Sequence, residues 1–194
     1  LCRTYYESIK TNLDFELTPH EIRHLKKYFD FPDGLLKKVS KSSLRNAEIV
    51  KKLIEEIKDN RQCLFFGCSV EHSKFITSLL LYNNIKAAHI DGDTDKNSRR
   101  YHIENFKNGD IQVLCNFGVL STGFDAPKTD LVFISRPTQS LVLYSQMIGR
   151  GLRGKAIGGT DKCKIIDVLD NIKGYKNPQH VYDYFSEYWD SVKD

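Results

Sequence analysis

The chain has 194 residues, of which 40 % are hydrophobic and 28 % charged, and a formal net charge of +4. That length suits one α/β domain with a packed core and some added elements, and is short for two full nucleotide-binding lobes. The composition carries no Gly/Ser tract, heptad run or repeat, which excludes disordered and solenoid classes, while a charge of this size permits an anionic partner without requiring one.

The first 44 residues read as an N-terminal helical extension and linker. Thr18-Pro19-His20-Glu21 offers an N-cap, a proline at the first helical position and a capping-box glutamate, and Phe31-Pro32-Asp33-Gly34 stops that helix. Lys37, Lys38, Lys41 and Arg45 then follow with no acidic residue between them, as a solvated face or a phosphate-tracking surface would. From there Ile49, Leu53, Ile54 and Ile57 give a helical stripe, and Cys63-Leu64-Phe65-Phe66 is the short apolar run of a buried parallel strand. A helix from Glu71 to Leu81 leads to a strand at Lys86 to Ile90. A helix from Ser98 to Lys107, stopped by Asn108-Gly109, leads to a strand at Ile111 to Cys115. Strands at Leu131 to Ile134 and Lys164 to Asp167 flank a helix across Leu141 to Gly149. Asn177-Pro178 opens a last helix, with Val181, Tyr184, Phe185 and Tyr188 on one face. This βαβ series predicts an α/β, doubly wound, mostly parallel sheet with helices on both faces, spanning residues 45–170, with residues 171–194 as a C-terminal helix packed on it.

In such sheets ligands sit beyond the carboxyl ends of the strands, and the polar clusters fall there. Gly67-Cys68-Ser69, Asp91-Gly92-Asp93-Thr94, Ser121-Thr122-Gly123-Phe124-Asp125 and Ser135-Arg136-Pro137-Thr138 follow four successive strands. In the third, Thr122 suits a phosphate, Gly123 allows close backbone approach and Asp125 accepts from a ribose hydroxyl, although the same residue types make ordinary turns. Arg150 and Arg153 lie three apart at the end of a helical pattern, beside Gly149 and Gly151, and suit either a shared anion or a surface ion pair.

Taken in order, residues 62 to 168 resemble the C-terminal RecA-like lobe of superfamily-two helicases. Leu64 to Ser69 looks like motif IV, Asp91-Gly92 with Arg99 and Phe106 like the following block, and Leu114 to Pro127 like motif V. Gln146-Met147-Ile148-Gly149-Arg150-Gly151-Leu152-Arg153 looks like motif VI in its QxxGRxxR form. Gln146 and Met147, with Arg136-Pro137-Thr138 before them, point to the branch of type I and type III restriction translocases and related DNA repair helicases rather than to DEAD-box proteins. The resemblance implies that Arg150 and Arg153 are arginine fingers toward ATP, that Gly123, Asp125 and Gln146 bind or sense the nucleotide, and that Ser69, Gly92, Arg99 and Thr122 hold the nucleic-acid backbone. It implies ATP with Mg2+ as cofactor and nucleic acid, DNA before RNA, as partner. A first RecA-like lobe of the same polypeptide, and restriction-modification or repair subunits, would be further partners.

The sequence holds no GxxxxGK[ST] phosphate loop and no DExx motif, so ATP hydrolysis by this chain alone is not expected. The chain opens at Leu1 without a leader, and is expected to be a fragment of a longer protein. A nucleic-acid-binding module with vestigial motor motifs is the alternative. His20-Glu21-Ile22-Arg23-His24 fits HExxH, but the capping box already accounts for Glu21 and no third ligand follows at a recognisable spacing. His89 at a strand end reads as a packed or hydrogen-bonded histidine. Cys2, Cys63, Cys68, Cys115 and Cys163 form no CxxC pair, which favours reduced thiols. No metal ligand is expected in this chain. Apolar stretches such as Leu79 to Tyr82 fall far short of the ~20 residues that span a bilayer, so no membrane partner and a cytoplasmic location are expected.

Overall fold

The computed structural model describes residues 2–58, 61–119, 126, 128–154 and 158–173. Among the described residues six strands form one sheet: β1 (Arg3–Glu16), β2 (Cys63–Phe66), β3 (Ala87–Ile90), β4 (Val113–Asn116), β5 (Leu131–Ile134) and β6 (Lys162–Lys173), in the order β1-β6-β5-β2-β4-β3. Every neighbouring pair is parallel. The helices among these residues are α1 (Pro19–Tyr28), α2 (Asp33–Ser40), α3 (Ser43–Glu56), α4 (Val70–Tyr82), α5 (Lys96–Asn108) and α6 (Leu141–Ile148).

β2 lies at the centre, with Phe65 opposite Cys115 of β4 and Phe133 of β5. All four of its residues are buried, as a strand covered on both faces requires. Alternation along the strands sorts the core into two layers. Leu64, Phe66, Leu114, Val132, Ile134 and Ile165 meet Phe106 of α5 and Tyr144, Met147 and Ile148 of α6. Cys63, Phe65, Cys115, Phe133 and Ile166 meet Ile49 and Leu53 of α3 and Ile76 and Leu80 of α4 on the other face. The sheet is therefore wound with helices on both sides, a parallel RecA-like arrangement. Gly109 closes α5 in the left-handed region at φ 89°, the conformation that a glycine C-cap supplies.

The N-terminal region corrects the helical expectation. Arg3–Glu16 is a strand of 14 residues that pairs with β6 along most of its length. Its second half alternates Ile9, Thr11, Leu13 and Phe15 inward with Lys10, Asp14 and Glu16 outward, and this period of two is what a half-buried strand requires. The capping box of Thr18 and Glu21 is formed as expected. A second helix, α2, begins at Asp33, where the sequence suggests only a stop. Phe15, Leu17, Leu25, Phe31, Leu35, Leu36 and Val39 make a third apolar cluster that also holds Cys68. This cluster seats α1 and α2 beside the loop that follows β2. The expected C-terminal helix at 171–194 lies outside the described residues beyond Lys173.

The basic run is also corrected in part. Lys37, Lys38 and Lys41 are exposed, but Arg45 is 1 % exposed. It donates from Nε to Asp170 Oδ1 at 2.8 Å and from Nη2 to Asp170 Oδ2 at 3.0 Å and to the Ser135 carbonyl at 2.5 Å. Thr11 of β1 donates to the same carboxylate at 2.6 Å. One buried ion pair thus joins α3, β6, β1 and the end of β5.

Candidate functional site

The loops after β2, β3 and β5 converge at the carboxyl edge of the sheet, as the alternation of strand and helix dictates. Ser69 is the N-cap of α4 and its hydroxyl accepts from the His72 amide at 3.1 Å. His72 lies beneath it, buried. Its Nδ1 accepts from the Cys68 amide at 3.1 Å, its Nε2 faces Asn46 Oδ1 at 3.0 Å, and Asn46 Nδ2 donates to the Ser40 carbonyl at 2.8 Å. These contacts require a neutral ring with its proton on Nε2. Burial, with Arg45 nearby, lowers the His72 pKa to about 3, which agrees with that tautomer. The chain of bonds ties the Ser69 loop to α3 and α2.

The loop carrying Gly92 is organised by Asp91, which is buried. Its Oδ1 accepts from Thr94 Oγ1 at 2.9 Å and from the Asp93 amide at 3.0 Å, and its Oδ2 from His89 Nε2 at 2.9 Å. Lys74 Nζ stands 3.4 Å from the same oxygen. Burial opposes ionisation, but the hydrogen bonds from His89 and Thr94 outweigh it and hold this carboxyl well below the usual range. His89 is a hydrogen-bonded histidine between Ser73 and Asp91, in line with its expected role. Arg99 of α5 donates from Nη2 to the Asp91 carbonyl at 2.6 Å and the Gly92 carbonyl at 3.3 Å. Its Nε has no partner among the described residues. Arg99 therefore braces the Gly92 loop and keeps one N–H free. Gly92 itself is exposed, with nothing within 4 Å of the place a Cβ would occupy.

Arg150 and Arg153 lie elsewhere. α6 ends at Ile148, and the Gly151 amide donates to the Ile148 carbonyl at 3.0 Å, closing a turn. A Cβ on Gly151 would stand 2.4 Å from Cys163 Sγ and 2.6 Å from Val132 Cγ2. Both contacts belong to the amino-terminal ends of β6 and β5. The turn with the arginine pair is thus pressed against the sheet on the α6 face, toward the edge opposite Ser69 and Gly92. Gln146 and both arginines are partly exposed. The sequence places these residues in one family of motifs; the fold sets the loops of Ser69 and Gly92 at one end of the sheet and the arginine turn at the other. Thr122, Gly123 and Asp125 lie outside the described residues.

Three structural residues carry this arrangement in ways that local sequence does not announce. Asp91 reads in the sequence as a loop residue beside Gly92, and its role as the loop's anchor depends on His89 and Thr94 closing over it. Gly151 reads as room for arginines, whereas its main contact is with the sheet. Asp167 breaks the apolar run Ile165-Ile166-Asp167-Val168, a visible signal, and shares with Cys163 and Ile165 the side of β6 that faces α6. Burial pushes its carboxyl up to about 7, although the Tyr144 hydroxyl beside it acts in the opposite sense. Among the described residues no group of three or more His, Cys, Asp or Glu side chains gathers to hold a metal ion. His24 Nδ1 contacts the Asp30 carbonyl at 3.2 Å and Glu21 closes the capping box, so the HExxH pattern serves a helix start.

The sequence profile described as the helicase conserved C-terminal domain matches residues 45–155, more than half of the chain. "Putative ATP-dependent helicase IRC3" of Saccharomyces cerevisiae is 35 % identical over 135 residues, covering 66 % of this chain and 19 % of that protein. "Putative mitochondrial ATP-dependent helicase irc3" of Schizosaccharomyces pombe is 35 % identical over 138 residues, covering 71 % of this chain and 22 % of that protein. The chain thus spans about a fifth of the length of these two relatives. Among solved structures, the C-terminal domain of the DEAD-box protein Dbp5 superposes with a TM-score of 0.59 at 20 % identity, over 78 % of this chain and 82 % of that one. S. cerevisiae Dbp5 bound to RNA and ADP BeF3 superposes with a TM-score of 0.56 at 20 % identity, over 74 % of this chain and 37 % of that one. These superpositions establish the likeness of fold. With its parallel RecA-like sheet and its matching motifs, the chain belongs to the family of helicase C-terminal RecA-like domains.

Proposed function

We propose that this domain is the second motor lobe of an ATP-dependent helicase or translocase, completing an active site whose phosphate loop and magnesium ligands belong to a first lobe. The observation that carries this reading is the turn after α6. Gly151 seats it against Cys163 and Val132, so the backbone carrying Arg150 and Arg153, both partly exposed, has a fixed support. Phosphoryl transfer depends mainly on positioning and charge stabilisation, and an arginine finger contributes ~10³–10⁵ in rate. Bound ATP with Mg2+ would supply the phosphoryl group; the two guanidinium groups would neutralise charge as it develops, and Gln146, one turn before Arg150 on α6, would link that event to the lobe. Gly123 and Asp125 are assigned to the nucleotide, and Ser69, Gly92, Arg99 and Thr122 to the nucleic-acid backbone. Opening and closing of two such lobes would then step the protein along a strand.

We take residues 45–170 as the motor core and β1 to α2 as an addition to it. DNA is favoured as the track by the Gln146-Met147 pair and the restriction and repair branch it resembles, in which case restriction or repair subunits are candidate partners. RNA is the second reading, favoured by the likeness of fold to S. cerevisiae Dbp5, whose structure holds bound RNA. The five free buried cysteines support the expected reducing, cytoplasmic setting. The name of the S. pombe relative makes an organelle the competing location. In the full-length protein, Arg150→Ala is expected to abolish nucleic-acid-stimulated ATP hydrolysis while the circular dichroism spectrum stays that of the parent. Near-normal turnover in that variant would refute the assignment of Arg150, whereas a full-length parent that binds nucleic acid and lacks a phosphate loop and an acidic metal motif would favour the binding module with vestigial motor motifs. Running the assay with DNA and with RNA as the stimulating strand decides between the two tracks.

A further inference from the structure

A groove of about 510 Å³ lies between α2, the start of α3 and the first two turns of α4. Lys37 and Lys41 line one wall and Ser69, Glu71 and Phe75 the other. Neither lysine has an ion-pair partner among the described residues, and both are exposed. Phe75 is 48 % exposed on the outer face of α4, a position at which a soluble helix ordinarily carries a polar residue. Both lysines precede residue 45, where the match to the family profile begins.

Glu71, on the wall opposite the two lysines, stands in a setting that favours negative charge. Its carboxyl is held below the ordinary glutamate value, first by a hydrogen bond from its own backbone amide, then by the Ser69 hydroxyl, with Lys37 and Lys74 acting in the same sense. An amide at a helix start, a hydroxyl and lysine charge are the donors that proteins offer to phosphate oxygens. Phe75, one turn further along the same face as Glu71, adds an exposed aromatic ring to the groove, the kind of surface on which a base stacks.

We propose that this groove extends the nucleic-acid track beyond Ser69, with Lys37 and Lys41 on the backbone phosphates and Phe75 under a base of single-stranded nucleic acid. This rests on the assignment of Ser69 and Arg99 to the backbone. It adds residues from α2, which the His72-Asn46-Ser40 chain of hydrogen bonds holds against the Ser69 loop. Lys37 and Lys38 also lie in the last turn of α2, where basic residues complement the helix dipole. That role predicts a change in stability on substitution, not in binding. Glu71 competes with the phosphate for the same donors, so its removal strengthens binding.

The test uses the full-length protein and fluorescent oligo(dT) and oligo(rU), with binding measured across a salt series. Lys37→Gln/Lys41→Gln is expected to weaken binding on the order of tenfold near 0.1 M salt and to reduce the salt slope by about 1.4. Phe75→Ala is expected to weaken it about tenfold with the slope unchanged. Glu71→Gln is expected to tighten it, and Lys51→Gln, on the exposed side of α3, to leave it unaltered. Wild-type affinity and slope in the double lysine variant, with Arg99→Ala impaired, overturn the groove and spare the Ser69 and Arg99 assignment. Loss in the lysine variant with Arg99→Ala unimpaired does the reverse. Failure of the parent protein to bind either oligonucleotide overturns both.

Discussion

Gly151 decides how firmly the arginine pair is held. With no Cβ, it allows the turn after α6 to approach Cys163 Sγ and Val132 Cγ2, which a methyl group would meet at 2.4 and 2.6 Å. Val132 is fully buried and β-branched, so it has little freedom to turn away. Gly151→Ala therefore lifts the turn or displaces β5, at a cost of about 1–3 kcal/mol. The same displacement moves Arg150 and Arg153 from their support, and small misplacements of a catalytic group cost rate steeply. Chemical denaturation of the variant should show the loss of stability, and nucleic-acid-stimulated ATP hydrolysis in the full-length protein should fall by more than the unfolded fraction explains. Gly151→Ala combined with Val132→Ala and Cys163→Ala removes both side-chain atoms that the methyl group would meet and is expected to recover part of the activity. A stable Gly151→Ala with full activity would mean that the turn is not held by this contact.

At the scale of elements, α3 is fastened to the far side of the sheet by the Arg45–Asp170 pair, whose side chains are both fully buried. Removing one partner leaves an uncompensated charge in the interior, so Arg45→Ala is expected to destabilise the domain by about 3–5 kcal/mol. Arg45→Met/Asp170→Leu, which removes both charges, should recover much of that in a urea titration. If the single and double variants lose equal stability, the pair contributes through packing instead. Part of this is legible in the sequence. Arg45, Ile49 and Leu53 are spaced by four, so Arg45 belongs to the inward stripe of α3, yet the run Lys37-Lys38-Lys41 ahead of it suggests a wet face. Its partner lies 125 residues along the chain, a separation no local pattern reveals. The short strands Cys63–Phe66, Val113–Asn116 and Leu131–Ile134 are legible because burial on both faces makes each a largely apolar run, and Ala87–Ile90, at the sheet edge with alternate residues buried, is legible from its place between two helical patterns. β1 is hidden because its Tyr, Ser, Lys and Glu residues dilute the alternation of Ile9, Leu13 and Phe15. Among site residues, strand-to-helix order alone puts Ser69 and Gly92 at the carboxyl edge, where the fold has them. The bracing of Gly92 by Arg99 depends on how α5 packs, which the spacing of those two residues does not encode.

Over the whole molecule, two buried groups oppose each other in their response to pH. The native His72 ring takes up its proton only near pH 3, whereas the unfolded ring does so near 6.5, so stability falls as pH drops from 6.5 toward 3. Asp167 behaves in the contrary sense. Its native carboxyl keeps its proton up to about 7 and its unfolded form releases it above 3.8, so stability is present below 3.8 and is lost as pH rises to 7. Between these limits the two slopes have opposite sign and offset one another, with His89, whose pKa is also lowered by burial, on the side of His72. Asp167→Asn removes one slope while preserving size and a partner for Tyr144. The variant is expected to be more stable than the parent at pH 8, by an amount that shrinks toward pH 5 and vanishes near 4. Its own stability should therefore decline more steeply on acidification from pH 7 than the parent's does. Urea titrations of both proteins at half-unit pH intervals measure this directly, because the remaining groups cancel in the difference. A difference that is constant across the series would show that Asp167 is ionised in the native protein, and that α6 rests on a buried charge rather than on a neutral carboxyl group.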